Sequence, residues 1–281
     1  MIKPIISIVI GSYNRRPFLE STIESIRHNN ISVPYEIIVI DGGSDDGSIE
    51  YLIEQKDIIS IIQHNRGEWQ GKPIDRKSWG YFLNIAFKAG HGKYILMTSD
   101  DTLLLPNCVM NGYNLFEKLL KEGKKIGAMA FYFRNYPGET QYSVYLTYGN
   151  TIFVNHGIYL KSALEEINYI DEDNYFFYCG DSDVCLRLKE RGYEIIDAKS
   201  CFVEHFKHAS GSSVVTHSEK HKKSMEYFHN KWGHLENTHG KQIFIDHEDD
   251  SDTAKAFRKK LAYLKYRLYV ILLGFKKRFK K

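Results

Sequence analysis

Short β-branched runs alternate with amphipathic stretches through the first 135 residues. Residues 5–10 are apolar or small up to Gly11, and residues 36–40 form a second run that ends at Asp41-Gly42-Gly43. Residues 58–62, 94–97 and 127–133 read the same way. Between the first two, Phe18, Leu19, Ile23 and Ile26 recur at helical spacing, which predicts a helix over 17–28. Further helices are predicted over 48–54, 79–89 and 107–121. Strands that are apolar on both faces, alternating with helices, mean βαβ units and a mostly parallel sheet covered on both sides: an α/β fold. Residues 135–178 are less regular and Tyr-rich, as a region that shapes a pocket would be. Beyond them the pattern predicts a helix over 183–191 and two strands, 193–197 and 201–204; residues 207–252 are polar and His-rich.

The sharpest change in polarity falls near residue 252. Residues 255–281 hold eleven Lys and Arg and no acid, so a net charge of +3 for the 281-residue chain leaves the first 254 residues at −8. An acidic body argues against nucleic acid as a partner, because such a body is basic along its binding face. In the tail Leu261, Leu264, Leu268, Ile271, Leu272 and Phe275 share roughly one helix face, with basic residues at both ends. That pattern suits a helix lying on an anionic membrane surface, ahead of packing on the protein's own acidic body or on a second subunit. A homo-oligomer is compatible with either. No run of eighteen apolar residues is present to span a membrane, and Met1-Ile2-Lys3-Pro4 leads straight into the first strand with no signal-peptide pattern. Cys108, Cys179, Cys185 and Cys201 lack metal-type pairing. The expectation is a cytoplasmic protein with reduced thiols, peripheral at the inner face of the membrane.

In open α/β sheets, ligands bind at the carboxyl ends of the strands. Here those ends are polar: Gly11-Ser12-Tyr13-Asn14-Arg15 after the first run, Asp41 to Gly47 after the second, and Thr98-Ser99-Asp100-Asp101 after residues 94–97. The Gly42–Gly47 segment alone reads as turn chemistry. Asp100-Asp101 is different, because adjacent carboxylates in a partly buried position call for a cation. Hard ions such as Mg²⁺ or Mn²⁺ take oxygen ligands and, in nucleotide enzymes, share them with substrate phosphates. Neither a GxxxxGK[ST] nor a GxGxxG phosphate loop is present, so phosphate binding falls to a metal.

These segments together resemble the family 2 glycosyltransferases. Ser7 to Arg15 and Glu36 to Ser48 are similar to the family's opening, and Tyr94 to Asp101 with Leu105-Pro106 to its metal-binding segment. Asp181-Ser182-Asp183-Val184-Cys185-Leu186-Arg187-Leu188, followed by Gly192-Tyr193, resembles the segment holding the catalytic base; the likeness runs over about residues 5–210. It implies a GT-A fold over residues 1–252, with a nucleotide-binding half (1–135), an acceptor half (136–252) and the tail (253–281) outside it. It implies a metal-dependent, inverting enzyme that moves a sugar from a nucleoside diphosphate donor, usually UDP-linked, to a glycan or lipid-linked glycan, as in surface-polysaccharide assembly. The implied nucleotide residues are Ser12, Tyr13, Asn14, Arg15, Asp41 and Asp100; Asp101 and His205 would hold Mn²⁺ or Mg²⁺. Asp181 would be the general base, with Asp183 the other carboxylate in reach of that role. Thr98 and Gly180 stand where many members carry acids. A non-catalytic scaffold, or a sugar nucleotidyltransferase, is the rival reading; the latter wants an Arg/Lys-containing glycine loop that Gly11-Ser12-Tyr13-Asn14 lacks.

Two further features are weighed on the residues themselves. His217, His221, His229, His234 and His239 have no Cys partners or repeated ligand spacing, so solvated or locally bonded roles are expected over zinc. His208 with Ala209-Ser210-Gly211-Ser212-Ser213 has the composition of a closing loop or of an ordinary surface turn.

Overall fold

The fold was obtained as a computed structural model, which describes residues 3–65, 67–206 and 218–247, together with Lys260, Leu261, Leu264 and Leu268. Arg66, the segment 207–217 with its expected closing loop, and most of the tail lie outside the described residues.

In chain order the elements are β1 (Ile6–Ser12), α1 (Arg16–Arg27), β2 (Tyr35–Asp41), α2 (Ser48–Glu54) and β3 (Ile58–Ile62). A small hairpin follows, β4 (Glu68–Trp69) and β5 (Lys72–Pro73), then α3 (Trp79–Ala89), β6 (Tyr94–Ser99), β7 (Thr102–Leu104) and α4 (Cys108–Lys121). The second half has β8 (Ile126–Asn135), β9 (Tyr142–Thr147), β10 (Thr151–Phe153), β11 (Gly157–Leu160), α5 (Lys161–Glu166) and α6 (Gly180–Glu190). It ends with β12 (Glu194–His205), α7 (Ser218–Trp232) and β13 (Gln242–Ile245).

One sheet runs through both halves in the order β10-β9-β8-β11-β6-β1-β2-β3. The β6-β1-β2-β3 part is parallel, as the apolar runs predict. The fifth predicted strand, β8, does not join it directly: β11 lies between β6 and β8, antiparallel to both. Gly157 begins that strand at φ 154, where an added Cβ would stand 2.1 Å from the Met129 carbonyl oxygen. Only a glycine lets β11 come this close to β8. The two strands expected at 193–197 and 201–204 are one strand, β12, interrupted by a register shift between Ala198 and Phe202.

Strand alternation sends Ile6, Ile8 and Ile10 to one face with α1 and α4, and Val9 to the other with α3, α5 and α6. Each such fully buried side chain contributes about 1.5–3 kcal/mol, so a one-residue slip that exchanged the faces would be prohibitive. Correct alternation therefore fixes which strand ends reach the rim together.

Among the described residues, no helix is long and apolar enough to cross a membrane. All four cysteines are free and buried.

Candidate active site

The register of β1 decides the site. Ser12 pairs with Asp41 across β1–β2, and Gly11 with Ser99 across β1–β6. The polar segments after three strands therefore emerge side by side, with the middle one on β1.

On the β2 side, Asp41 is fully buried and organises its own loop. One carboxylate oxygen accepts from the Gly43 and Ser44 amides at 2.8 and 2.7 Å, and the other from the Ser44 hydroxyl at 2.7 Å. Asn14, at φ 53, joins this loop to β1: its amide donates to Ser44 Oγ and its Oδ1 accepts from the Asp45 amide, both at 2.8 Å. The Tyr13 ring consequently lies on Gly42, where an added Cβ would meet the ring at 3.0 Å. Tyr13 is 43% exposed, so one aromatic surface is backed by glycine and the rest is open. A flat heterocycle could stack there.

On the β6 side, Asp100 and Asp101 are each only 3% exposed. Arg15 spans them, with Nη1 3.0 Å from Asp100 Oδ1 and 2.9 Å from Asp101 Oδ2. Burial pushes Asp100 up to about 6 despite Arg15, and the neighbouring Asp101 charge adds to the rise. Burial also works against Asp101, yet His205 and Arg15 outweigh it and bring that carboxyl down to about 2.

His205 arrives from a distant part of the sequence. It ends β12, pairing with Thr102 of β7 and with Asn135 of β8, and the next amide, Phe206 N, donates to the Asp101 carbonyl at 2.8 Å. The preceding pair, Glu204 and Arg134, locks this register through a buried two-point ion pair at 2.8 and 2.9 Å. His205 Nδ1 lies 3.0 Å from Asn135 Oδ1, an acceptor, which places the proton on Nδ1. Nε2 faces Asp101 Oδ1, 3.4 Å away: a protonated ring pairs with that carboxylate, whereas a neutral ring turns a lone pair toward an oxygen that is buried and has no hydrogen-bond partner among the described residues. Two acceptors facing each other at this distance suit a shared cation. An imidazole fixed at its other nitrogen is an ordinary metal-site arrangement. The donor set therefore fits a divalent ion with two protein ligands and the remainder from substrate. Among the described residues, no group of three or more His, Cys, Asp or Glu forms a closed metal cage.

Thr98 lies in the floor of this site. It is 3% exposed, and its hydroxyl lies 2.9 Å from Thr102 Oγ1 and 3.5 Å from His156 Nδ1. Burial brings His156 down to about 3, so its imidazole is neutral. An acid at 98 would add another negative charge beneath the acidic pair.

The two carboxylates of α6 have separate roles. Asp183 is fully buried and accepts from Tyr175 Oη, Lys231 Nζ and Trp232 Nε1 at 3.0, 2.8 and 2.9 Å, and from Arg187 Nε at 2.6 Å. It lies in the first turn of its helix, as expected, but its work is tying α6 to α7. Asp181 has no cationic partner among the described residues: it accepts from the Ser182 amide at 2.8 Å and from Asn155 Nδ2 at 3.3 Å. Burial raises it from 3.8 to about 6. Gly180, just before it, fits beneath neighbouring side chains, since a Cβ would meet Ile170, Tyr175 and Trp79 at 3.3–3.6 Å.

Asn135, Asn155 and His156 were not singled out from sequence. Each lies at the end of, or just after, an apolar strand-like run, which is the only local signal they give. Of the histidine cluster, His229 bonds Tyr148, His239 lies 3.2 Å from Thr147 Oγ1 and His234 lies 3.1 Å from the Lys231 carbonyl. These are the local roles expected of them.

A sequence model described as "Glycosyl transferase family 2" matches residues 7–181. A protein of Rickettsia bellii (strain RML369-C), described as an uncharacterized glycosyltransferase, is 31% identical over 120 residues, which is 41% of this chain and 16% of that protein's length. Among solved structures, S. aureus TarS 1-349 in complex with UDP-GlcNAc has a TM-score of 0.59 at 13% identity, covering 80% of this chain and 66% of that one. The mannosyltransferase PcManGT from Pyrobaculum calidifontis, in complex with GDP-Man and Mn²⁺, has a TM-score of 0.56 at 15% identity, covering 80% and 64%. The architecture is the expected GT-A fold.

The division between the α6 carboxylates is open to a stability measurement. Removing the buried Asp183 leaves the half-buried Arg187 and Lys231, and the Tyr175 and Trp232 donors, unmatched, so Asp183→Ala should lose about 3–5 kcal/mol in urea unfolding. Asp181→Asn removes a charge that burial disfavours, and at pH 8 it should unfold at the same or a higher urea concentration than the parent.

Proposed function

The chain belongs to glycosyltransferase family 2, and from that premise we propose that it transfers a sugar, with inversion, from a nucleoside diphosphate donor to a hydroxyl of a glycan or lipid-linked glycan. Similar structures hold UDP-GlcNAc or GDP-Man, and a UDP-linked donor is the expectation from sequence. One observation carries the reading. The adjacent residues Asn155 and His156 reach both ends of the site: Asn155 donates to Asp181, and the His156 ring lies 5.3 Å from that of His205. A carboxylate suited to taking a proton is thereby linked to the end where an acidic pair and an imidazole meet.

The roles follow from the chemistry of each group. Tyr13 offers its ring to the nucleobase, with Ser12 and Asn14 at its sides, and Asp41 acts through the loop it organises. Asp100 lies toward the ribose, and Arg15 keeps a permanent positive charge beside the diphosphate. Asp101 and His205 would hold Mn²⁺ or Mg²⁺, which when bound offsets the charge that develops on the leaving nucleoside diphosphate. Asp181 accepts the proton of the acceptor hydroxyl. The freed oxygen pair bonds to the anomeric carbon as the carbon–oxygen bond to phosphate breaks, and that bonding pair leaves with the diphosphate. Attack from the side opposite the leaving group inverts the centre.

The pH dependence has a definite sign. Burial disfavours the charged form of Asp181, so its working, ionised form prevails only above about pH 6. Activity should fall below that value. Asp181→Asn should lower kcat by about 10²–10⁴-fold while nucleotide binding, read by calorimetry, is retained. A variant with near-parental turnover would remove Asp181 from the mechanism.

The tail supplies the proposed location. Leu261, Leu264 and Leu268 are helical and 40%, 55% and 55% exposed, at spacings of three and four residues. With eleven basic residues around them, they suit the surface of an anionic membrane. Such contact would hold the enzyme at the inner face, beside lipid-linked acceptors. The full chain should float with vesicles containing anionic lipid, and a chain ending at residue 254 should not; equal flotation would contradict the membrane role.

A further inference from the structure

The loop entering α6 exposes two large aromatic rings close to Asp181. Phe177 and Tyr178 are 43% and 41% exposed, while Tyr175 and Cys179 on either side are buried. Tyr178 stands three residues before Asp181, so their Cα atoms are at most about 11 Å apart. The two rings are 5.0 Å apart and nearly perpendicular, at 88°. Each therefore turns a different surface outward.

The loop is held from both sides. The Phe176 carbonyl accepts from the Trp79 amide at 2.8 Å, which fastens it to α3, and the Phe176 amide donates to Ser224 Oγ at 3.0 Å, which fastens it to α7. His221 of α7 supports the rings from behind, 4.9 Å from Tyr178 and 5.9 Å from Phe177. Burial lowers its pKa, so the imidazole is a neutral backing surface. Phe176 itself is already used, with Lys220 Nζ 4.6 Å from its ring centroid. Phe177 and Tyr178 are thus preorganised and open, and exposed apolar groups of this kind mark ligand-binding surfaces.

We propose that Phe177 and Tyr178 form a stacking platform for a pyranose ring of the acceptor, holding its apolar C–H face beside the general base. The inference rests on the glycosyl-transfer reading and adds an acceptor subsite to it. The size and surroundings of the patch argue for a sugar. Two rings cover far less than the roughly 1,000 Å² that a protein partner needs. The exposed neighbours Asp173, Asn174 and Lys220 offer the polar edge that sugar hydroxyls require and a lipid chain does not.

Saturation-transfer NMR tests the platform, with full-length protein, UDP and Mn²⁺ and a panel of methyl glycopyranosides of glucose, galactose, mannose, rhamnose and N-acetylglucosamine. The expected result is transfer to the ring C–H protons of at least one pyranoside. In F177A/Y178A the affinity should fall about tenfold or more, with recovery in F177Y/Y178W. The nucleotide-induced thermal shift, which reads the donor site, should stay at the parental value in both variants. Absence of saturation transfer to every pyranoside, or equal binding by the double alanine variant, would overturn the platform. If either occurs while the nucleotide shift persists, the glycosyltransferase reading stands and the acceptor subsite lies elsewhere. Loss of the nucleotide shift together with sugar binding would also overturn it, because the platform is assigned no donor contact.

Discussion

Two adjacent carboxylates at 3% exposure cannot both carry charge without cationic groups beside them, and much of this site is arranged around Asp100 and Asp101. Arg15 comes from the end of β1 and touches both. His205 comes from the end of β12, held in register by the Arg134–Glu204 pair and oriented by Asn135. Even the floor conforms, since Thr98 and a neutral His156 add no charge beneath the pair. The remaining imbalance lies between Asp101 Oδ1 and His205 Nε2, which face each other as two acceptors when the imidazole is neutral.

The other acids show how environment divides one chemical group among several functions. Asp41 spends its oxygens on two amides and a hydroxyl of its own loop, and so supports the surface under Tyr13. Asp183 is neutralised by Arg187 and Lys231 and serves as a brace between helices. Asp181 is partly buried without such partners, and its proton affinity rises toward neutral pH. A carboxylate that is easily protonated near neutrality is what a general base needs, and nothing but desolvation produces it here. The body's charge of −8 is therefore not a uniform property.

Much of the first half was legible in the sequence because parallel strands buried on both faces leave unbroken apolar runs, and their helices leave a broad apolar stripe. β1, α1, β2, α2, β3, α3, β6 and α4 fall within a few residues of the pattern. The second half was harder to read for physical reasons. β9, β10 and β11 are short or antiparallel and mix Tyr, Ser and Thr with aliphatic residues, so neither period stands out. The apolar stripe of α7 is sparse, built around Met225, Phe228 and Trp232 on an otherwise polar helix. The acidic pair and Asp181 could be found from local motifs. Their partners could not: Asn135 and Asn155 are ordinary polar residues until the sheet brings them to His205 and Asp181. Of the two departures from the family pattern, Thr98 keeps a further charge from beneath the acidic pair, while nothing in the structure explains Gly180.

If the rim formed by β1, β2 and β6 is a donor site completed by a cation at Asp101 and His205, nucleotide binding and metal binding must be coupled there. The most direct measurement is the thermal unfolding midpoint of the full chain with a panel of nucleoside diphosphates, with and without Mn²⁺. One diphosphate should raise the midpoint only when the metal is present, and Asp101→Asn and His205→Ala should remove the metal-dependent rise. No stabilisation by any diphosphate, or a rise equally large without metal, would contradict that coupling.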